Sequence, residues 1–171
     1  ISGWYRCAGE RGCGLAIAIF VSRQLSKSFA VDLLLTNGHE LGMCGGYHLA
    51  QSYDKELEFV LHLGSCIANI DTKMISICSA DRLIVEGIAV AFKKLGIKPT
   101  IPSNPANAKN WVGESICWLS NNLPILSITG LATHFHTRSD LPEFVTNPGL
   151  LAAAIEVIGD SALALANHEK T

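Results

Sequence analysis

Six histidines and the carboxylates near them carry most of the chemistry available to this chain. His39 and Glu40 sit in the turn Asn37-Gly38-His39-Glu40-Leu41-Gly42, directly after an apolar run. His62 closes a second apolar run, and His134 and His136 follow a third, Pro124 to Thr129. Imidazole is the commonest metal ligand and the usual acid/base group near neutral pH. A carboxylate beside it, as Glu40 is, adds an oxygen ligand or a base. His48 and His168 follow no such run and read as ordinary hydrogen-bonded residues. The chain holds no His-Glu-x-x-His, His-x-x-Glu-His or His-x-Asp sequence, so no single segment supplies a zinc site. Gly9-Glu10-Arg11-Gly12-Cys13-Gly14 lacks the Gly-Lys-Ser/Thr ending of a P-loop, and no Gly-x-Ser-x-Gly occurs. Cys13 opens a helix, which can lower a thiol pKa, but with no histidine near it in sequence it reads as an inert buried thiol.

The elements that position these residues are legible from periodicity. Leu15 to Lys27 reads as a helix. Ala30 to Thr36 reads as a strand buried on both faces, because its apolar run is nearly continuous. A short helix is expected from about Gly45 to Ser52, and strands over Leu57–Leu63, Lys73–Cys78 and Pro124–Thr129. A helix capped by Ser79 follows, with Leu83, Ile84, Ile88, Ala91, Phe92 and Leu95 as its apolar stripe and Gly96 at its end. Gly96 to Asn110, with Pro99, Pro102 and Pro105, reads as a long loop, Gly113 to Asn121 as a short helix and Gly130 to Pro142 as a loop. Asn147 caps the last helix, with Pro148 in its first position. Strands alternating with helices imply an α/β fold: a three-layer α/β/α sandwich with a mostly parallel mixed sheet. In such sheets the site gathers at strand ends, where His39, His62, His134 and His136 fall.

Composition narrows the classes. The chain has 171 residues, 49% of them hydrophobic and 16% charged, which suits a single domain over 1–171 and excludes a disordered chain. A net charge of −2 offers no field for nucleic acid or an anionic membrane. No uninterrupted apolar run approaches the roughly 18–20 residues that span a bilayer. The six cysteines form no Cys-x-x-Cys pair, and several lie in apolar segments. Buried reduced thiols in a cytoplasmic protein are the expectation, with no signal peptide legible from Ile1 onward.

Three segments together resemble the co-catalytic zinc exopeptidases (metallopeptidase family twenty-eight, the bacterial aminopeptidases). Leu33-Leu-Leu-Thr-Asn-Gly-His-Glu-Leu-Gly-Met-Cys-Gly resembles their strand and Glu-Glu-x-Gly-Leu-x-Gly turn. Leu123-Pro-Ile-Leu-Ser-Ile-Thr-Gly, followed by Phe135-His-Thr-Arg-Ser-Asp-Leu-Pro-Glu, resembles their closing strand and His-Thr-x-x-Asp-x-x-Glu loop. Cys7-Ala-Gly-Glu-Arg-Gly-Cys-Gly-Leu-Ala resembles their Gly-Ala-Asn-Asp-Asp-Gly-Ser-Gly-Val-Ala turn. The resemblance implies zinc and a metal-activated water attacking a peptide carbonyl. It places Glu40 and His136 as metal ligands, Glu10 near the bridging aspartate and His39 at the general base. It also implies departures: Gly64 stands where the family has a ligand aspartate, Arg11 adjoins Glu10, and the first His-x-Asp pair would precede Ile1. The chain is accordingly expected to be the C-terminal part of a longer domain. Two functional readings follow, beside a third in which the chain is a structural fragment whose active half is missing. One is a divergent metallopeptidase-like hydrolase of peptide or amide bonds, holding zinc through Glu40, His136 and Glu10, with His39 as base. The other is a metal-free or repurposed member of the fold that binds a small molecule or peptide.

Overall fold

The computed structural model describes residues 7–105, 107–121 and 123–168, the last without its side chain. The expectations attached to Ile1 and to the His168 side chain lie outside the described residues. The elements run α1 (Cys13–Leu25), α2 (Cys44–Ser52), β1 (Val60–Leu63), β2 (Thr72–Cys78), α3 (Arg82–Lys94), β3 (Lys98–Thr100), β4 (Ile125–Ala132), α4 (Pro142–Val145) and α5 (Pro148–His168). A π turn over Ala8–Gly12 precedes α1, and 3-10 turns occupy His39–Leu41, Ala108–Asn110 and Gly113–Asn121.

The sheet has the order β1-β4-β2-β3. β1 runs parallel to β4 and β2 to β3, while β2 and β4 are antiparallel. Side-chain alternation divides the core between its two faces. Ile75 and Ile77 of β2 and Leu126 and Ile128 of β4 pack with α1, α3 and α5. Cys78 and Ile125 face the other way, onto Ala50 of α2 and onto Trp111, Cys117 and Trp118. The α/β layering with helices on both sides is as the sequence implies.

Several boundaries depart from expectation. The helix after β2 is capped by Asp81, whose Oδ1 accepts the Ile84 N–H at 3.0 Å, and not by Ser79. Its buried stripe is Ile84, Val85, Ile88, Ala89 and Phe92, and Leu83 is 75% exposed. β4 continues to Ala132 because Gly130 passes under Cys66, where a Cβ would lie 2.1 Å from the Cys66 carbonyl oxygen. Within the expected 96–110 loop, β3 pairs with the edge of β2, a position that tolerates Pro99. α5 is long and apolar enough to cross a membrane by length and composition, although Glu156 and Asp160 interrupt its apolar run. Here it lies against α1 and α3, burying Ala154, Ile158 and Ala162.

The expected strand over Ala30–Thr36 does not form. Residues 31–38 have no regular secondary structure, and Leu33, Leu34 and Leu35 are exposed. A strand is defined by its ladder, and nothing pairs with this run: a cleft separates it from β1, which lies at the edge of the sheet.

Candidate functional site

Two close approaches bring the turn before α1 to the strand ends. Gly14 lies so near the end of β1 that a Cβ there would sit 2.4 Å from the Gly64 carbonyl oxygen. Asp140 then clamps the turn. Its Oδ1 accepts the Gly9 N–H at 2.5 Å, its Oδ2 accepts the Glu10 N–H at 2.9 Å, and its carbonyl accepts the Ala8 N–H at 3.2 Å. Clamped in this way, Glu10 is buried, with 3% of its surface exposed.

The Glu10 carboxylate is the chemical centre of this region. Its Oε1 is buried without a hydrogen-bond partner. The Arg11 Nη2 stands 3.2 Å from that oxygen, and the His136 Nε2 stands 3.6 Å from it. His136 holds a left-handed backbone (φ 59°) and stacks on Phe135 at 3.9 Å. Non-glycine residues rarely adopt that conformation, and it concentrates at sites the surroundings over-determine. Cys7 closes the group: its Sγ and one oxygen each of Glu10 and Asp140 all lie within 4.8 Å of one another. Burial, with the nearby Glu10 and Asp140 charges, raises the Cys7 thiol pKa, against a lowering by Arg11. Among the described residues no other trio of His, Cys, Asp and Glu is so close.

A second group lines the cleft beside β1. The His39 Nδ1 is 2.7 Å from the Glu114 Oε1. The His62 Nε2 is 3.8 Å from the Glu114 Oε2, and the His62 Nδ1 is 2.9 Å from the Oγ of buried Ser127. His62 and then His39 hold the Glu114 carboxyl at about 2, against a usual 4.5, with burial opposing them. Gly113, at φ +65°, gives the His62 ring its space: a Cβ there would sit 3.2 Å from it. A third pair, His134 and Asp71, is not among the residues that line the cleft. Asp71 Oδ2 lies 2.8 Å from the His134 backbone N and 2.9 Å from its Nδ1.

Of the residues singled out from sequence, the structure brings Glu10 and His136 together. His39 and Glu40 line the cleft with Arg11. Glu40 is exposed and does not form a ligand trio with Glu10 and His136. His48 is exposed on α2, and buried Cys13 donates its thiol to the Gly9 carbonyl at 3.0 Å. Sequence reasoning missed Cys7, Glu114 and Asp71. Only Cys7 left a signal, since it opens the quoted Cys-Ala-Gly-Glu segment.

With this geometry in hand, the chain can be compared with known proteins. No family model matches it, and no curated protein does. Among solved structures it is similar to BSAP, a zinc aminopeptidase from Bacillus subtilis, with a TM-score of 0.63 and 15% identity. The fold is zinc-aminopeptidase-like. The match covers 92% of this chain and 42% of that one, so the chain spans less than half the length of its structural relative.

The residues present fit one zinc-sized ion and not a pair. Donors at about 2.0–2.1 Å from a tetrahedral zinc stand about 3.4 Å apart. The Glu10–His136 separation of 3.6 Å is near that value and outside hydrogen-bond range. The Cys7 thiol is of a type zinc accepts, but it closes on Glu10 with Asp140 and not with His136, so Glu10 and His136 are the two donors that face one ion. Asp140 spends both carboxylate oxygens on backbone N–H groups and serves as the clamp. A second ion finds no ligand at Gly64, where a Cβ would lie 2.3 Å from the Thr129 Oγ1.

Proposed function

We propose that this protein is a divergent hydrolase of peptide or amide bonds, with a centre that holds one zinc ion through Glu10 and His136. The observation that carries this reading is the buried Glu10 oxygen, which has the His136 nitrogen at 3.6 Å, near the spacing of two donors on one zinc. The Arg11 guanidinium at 3.2 Å offsets part of the carboxylate's burial cost, and a bound ion would offset the rest. The ion, when bound, supplies an acidified water and a polarised carbonyl.

The chain's own residues do the rest. Glu114 is ionised through the neutral range and accepts the His39 Nδ1–H, an assignment made from the hydrogen-bond network. That tautomer leaves the other ring nitrogen of His39 as the proton acceptor, in the role the resemblance gave to this position. Arg11 touches Glu10 and also lines the cleft, which suits it to orient a substrate carbonyl or carboxylate. Glu40, on the same cleft, suits a substrate amino group. The unpaired thiols of the described residues support a cytoplasmic setting, and the net charge of −2 gives no support for a nucleic-acid partner.

The test is hydrolysis of aminoacyl and acyl p-nitroanilides by purified protein. Activity should be lost on chelation, return with zinc and vanish in Glu10→Gln. If zinc-loaded protein cleaves none of these amides, the hydrolase reading fails. One observation favours the metal-free reading: Arg11 stands 3.2 Å from the oxygen that the ion would share. A melting temperature unmoved by zinc would decide for it.

A further inference from the structure

Asn37 and Gly38 form the one Asn-Gly pair of the chain, and the proposed centre makes no use of it. The pair ends a run, residues 31–38, that has no regular secondary structure, and Asn37 is exposed. Gly38 holds a left-handed backbone (φ 72°), and a Cβ there would lie 2.4 Å from the Cys44 Sγ, so the position excludes a side chain. Among the described residues, no hydrogen bond uses the Asn37 carboxamide or the Gly38 N–H. Only the Gly38 carbonyl is engaged in the next turn, where it accepts the Leu41 N–H at 3.0 Å. An unhindered backbone nitrogen thus follows an exposed asparagine, and no ladder holds the two apart.

The pair also abuts α2. A Cβ on Gly45 would lie 2.4 Å from the Asn37 carbonyl oxygen and 2.7 Å from its Oδ1, so the Asn37 side chain faces the first turn of that helix. The turn holds no acidic residue, and its N-cap, Met43, makes no side-chain hydrogen bond. First-turn N–H groups are the orphan donors of a helix and favour negative charge. Directly after Gly38, His39 is held to Glu114 at 2.7 Å.

We propose that Asn37–Gly38 is a self-modification site, where the asparagine converts to aspartate or isoaspartate and changes the hold on α2 and on His39. The Gly38 nitrogen bonds to the Asn37 Cγ and the Cγ–Nδ2 bond breaks. Ammonia leaves with the proton that the Gly38 nitrogen gives up, and a cyclic imide remains. Water then opens the imide at either carbonyl. Opening at Cγ restores the ordinary backbone, with a carboxylate in place of the amide. Opening at the backbone carbonyl leaves the chain running through the side chain, one methylene longer. Water is the only co-reactant. The carboxylate of the first product lies beside the first turn of α2 and strengthens it. The extra methylene of the second enters just before His39 and draws it away from Glu114. None of this rests on the zinc reading, and chelation leaves it untouched.

The test is timed incubation of the intact protein at mildly alkaline pH in heavy-oxygen water, followed by tryptic peptide mapping. Residues 28–55 form one tryptic peptide with Asn37 as its only asparagine. That peptide should gain the mass difference between amide and acid, with one heavy oxygen, and split into two products. Endoproteinase Asp-N should cut only the aspartyl product at position 37. Conversion should run about tenfold faster than at Asn69 and Asn107, which isoleucine and alanine follow. Conversion no faster than at those two, or blocked in folded protein and released in urea, would overturn the proposal. Hydrogen exchange at the amides of Cys44, Gly45 and Gly46 should slow in Asn37→Asp and quicken in the isoaspartyl fraction. That fraction should also show the flattened acid limb of unfolding that loss of the His39–Glu114 contact gives. Exchange and acid limb both unchanged by the modification would overturn its effect on α2 and His39.

Discussion

The His39 Nδ1 and the Glu114 Oε1 meet at 2.7 Å although 75 residues separate them in the chain. This contact turns an isolated turn histidine into one half of a histidine–carboxylate dyad. The carboxylate is itself anchored by His62 at 3.8 Å, next to a glycine with φ +65°.

Because the Glu114 carboxyl is lowered to about 2 from 4.5, its pairing contributes stability that is fully present above about pH 4.5. That stability is lost as the pH falls toward 2. The shift corresponds to about 3 kcal/mol as an order of magnitude. Glu114→Gln should lower stability at neutral pH by about 2–3 kcal/mol and flatten the acid limb of the unfolding curve. Urea melts between pH 7 and pH 2 check this. An unchanged acid limb would separate Glu114 from the pair.

If His39 acts as the base, Glu114→Gln removes the carboxylate that fixes its tautomer, and kcat should fall with zinc content unchanged. His39→Ala should lower kcat by about 10²–10⁴ with little effect on zinc content. A pH–rate profile of the wild type and both variants measures this.

Gly64→Asp would restore the side chain that the resembled family carries there, yet it should gain no metal. Its Cβ would meet the Thr129 Oγ1 at 2.3 Å and the Thr129 Cβ at 3.0 Å. Overpacking of that kind costs about 1–3 kcal/mol. The melting temperature should fall, and Thr129→Ala should recover part of the loss in the double variant.

Asp140→Ala should loosen the turn that presents Glu10. It removes two acceptors from buried backbone N–H groups, and each such charged hydrogen bond is worth about 1.5–3 kcal/mol. Asp140→Asn keeps one acceptor and should lose less. Thermal melts rank the two variants, and the order Ala below Asn is the expected result.

Much of the fold is legible in the sequence. Periodicity located α1 and α3 of the major core, and Asn147 and Pro148 marked the start of α5 correctly. His62 lies in β1 and His136 follows β4, because strand termini converge wherever a sheet is layered by helices. What sequence could not supply was long-range pairing. Glu114 sits in a 3-10 segment with no pattern of its own and acquires meaning only through His39 and His62. The run Ala30–Thr36 was read as a strand on composition, and composition does not provide the neighbour that a ladder needs. Asp81 displaced Ser79 as cap because the helix begins two residues later than a Ser79 cap requires. The Cys7 thiol joined Glu10 only once Asp140 had folded the turn around it.

The most direct measurement is zinc bound per chain, by elemental analysis of protein loaded with zinc and dialysed. The account predicts close to one zinc per chain, well below one in Glu10→Gln and in His136→Ala, and unchanged in Glu40→Ala. Two zinc ions per chain, none at all, or a content indifferent to Glu10 and His136 would contradict it.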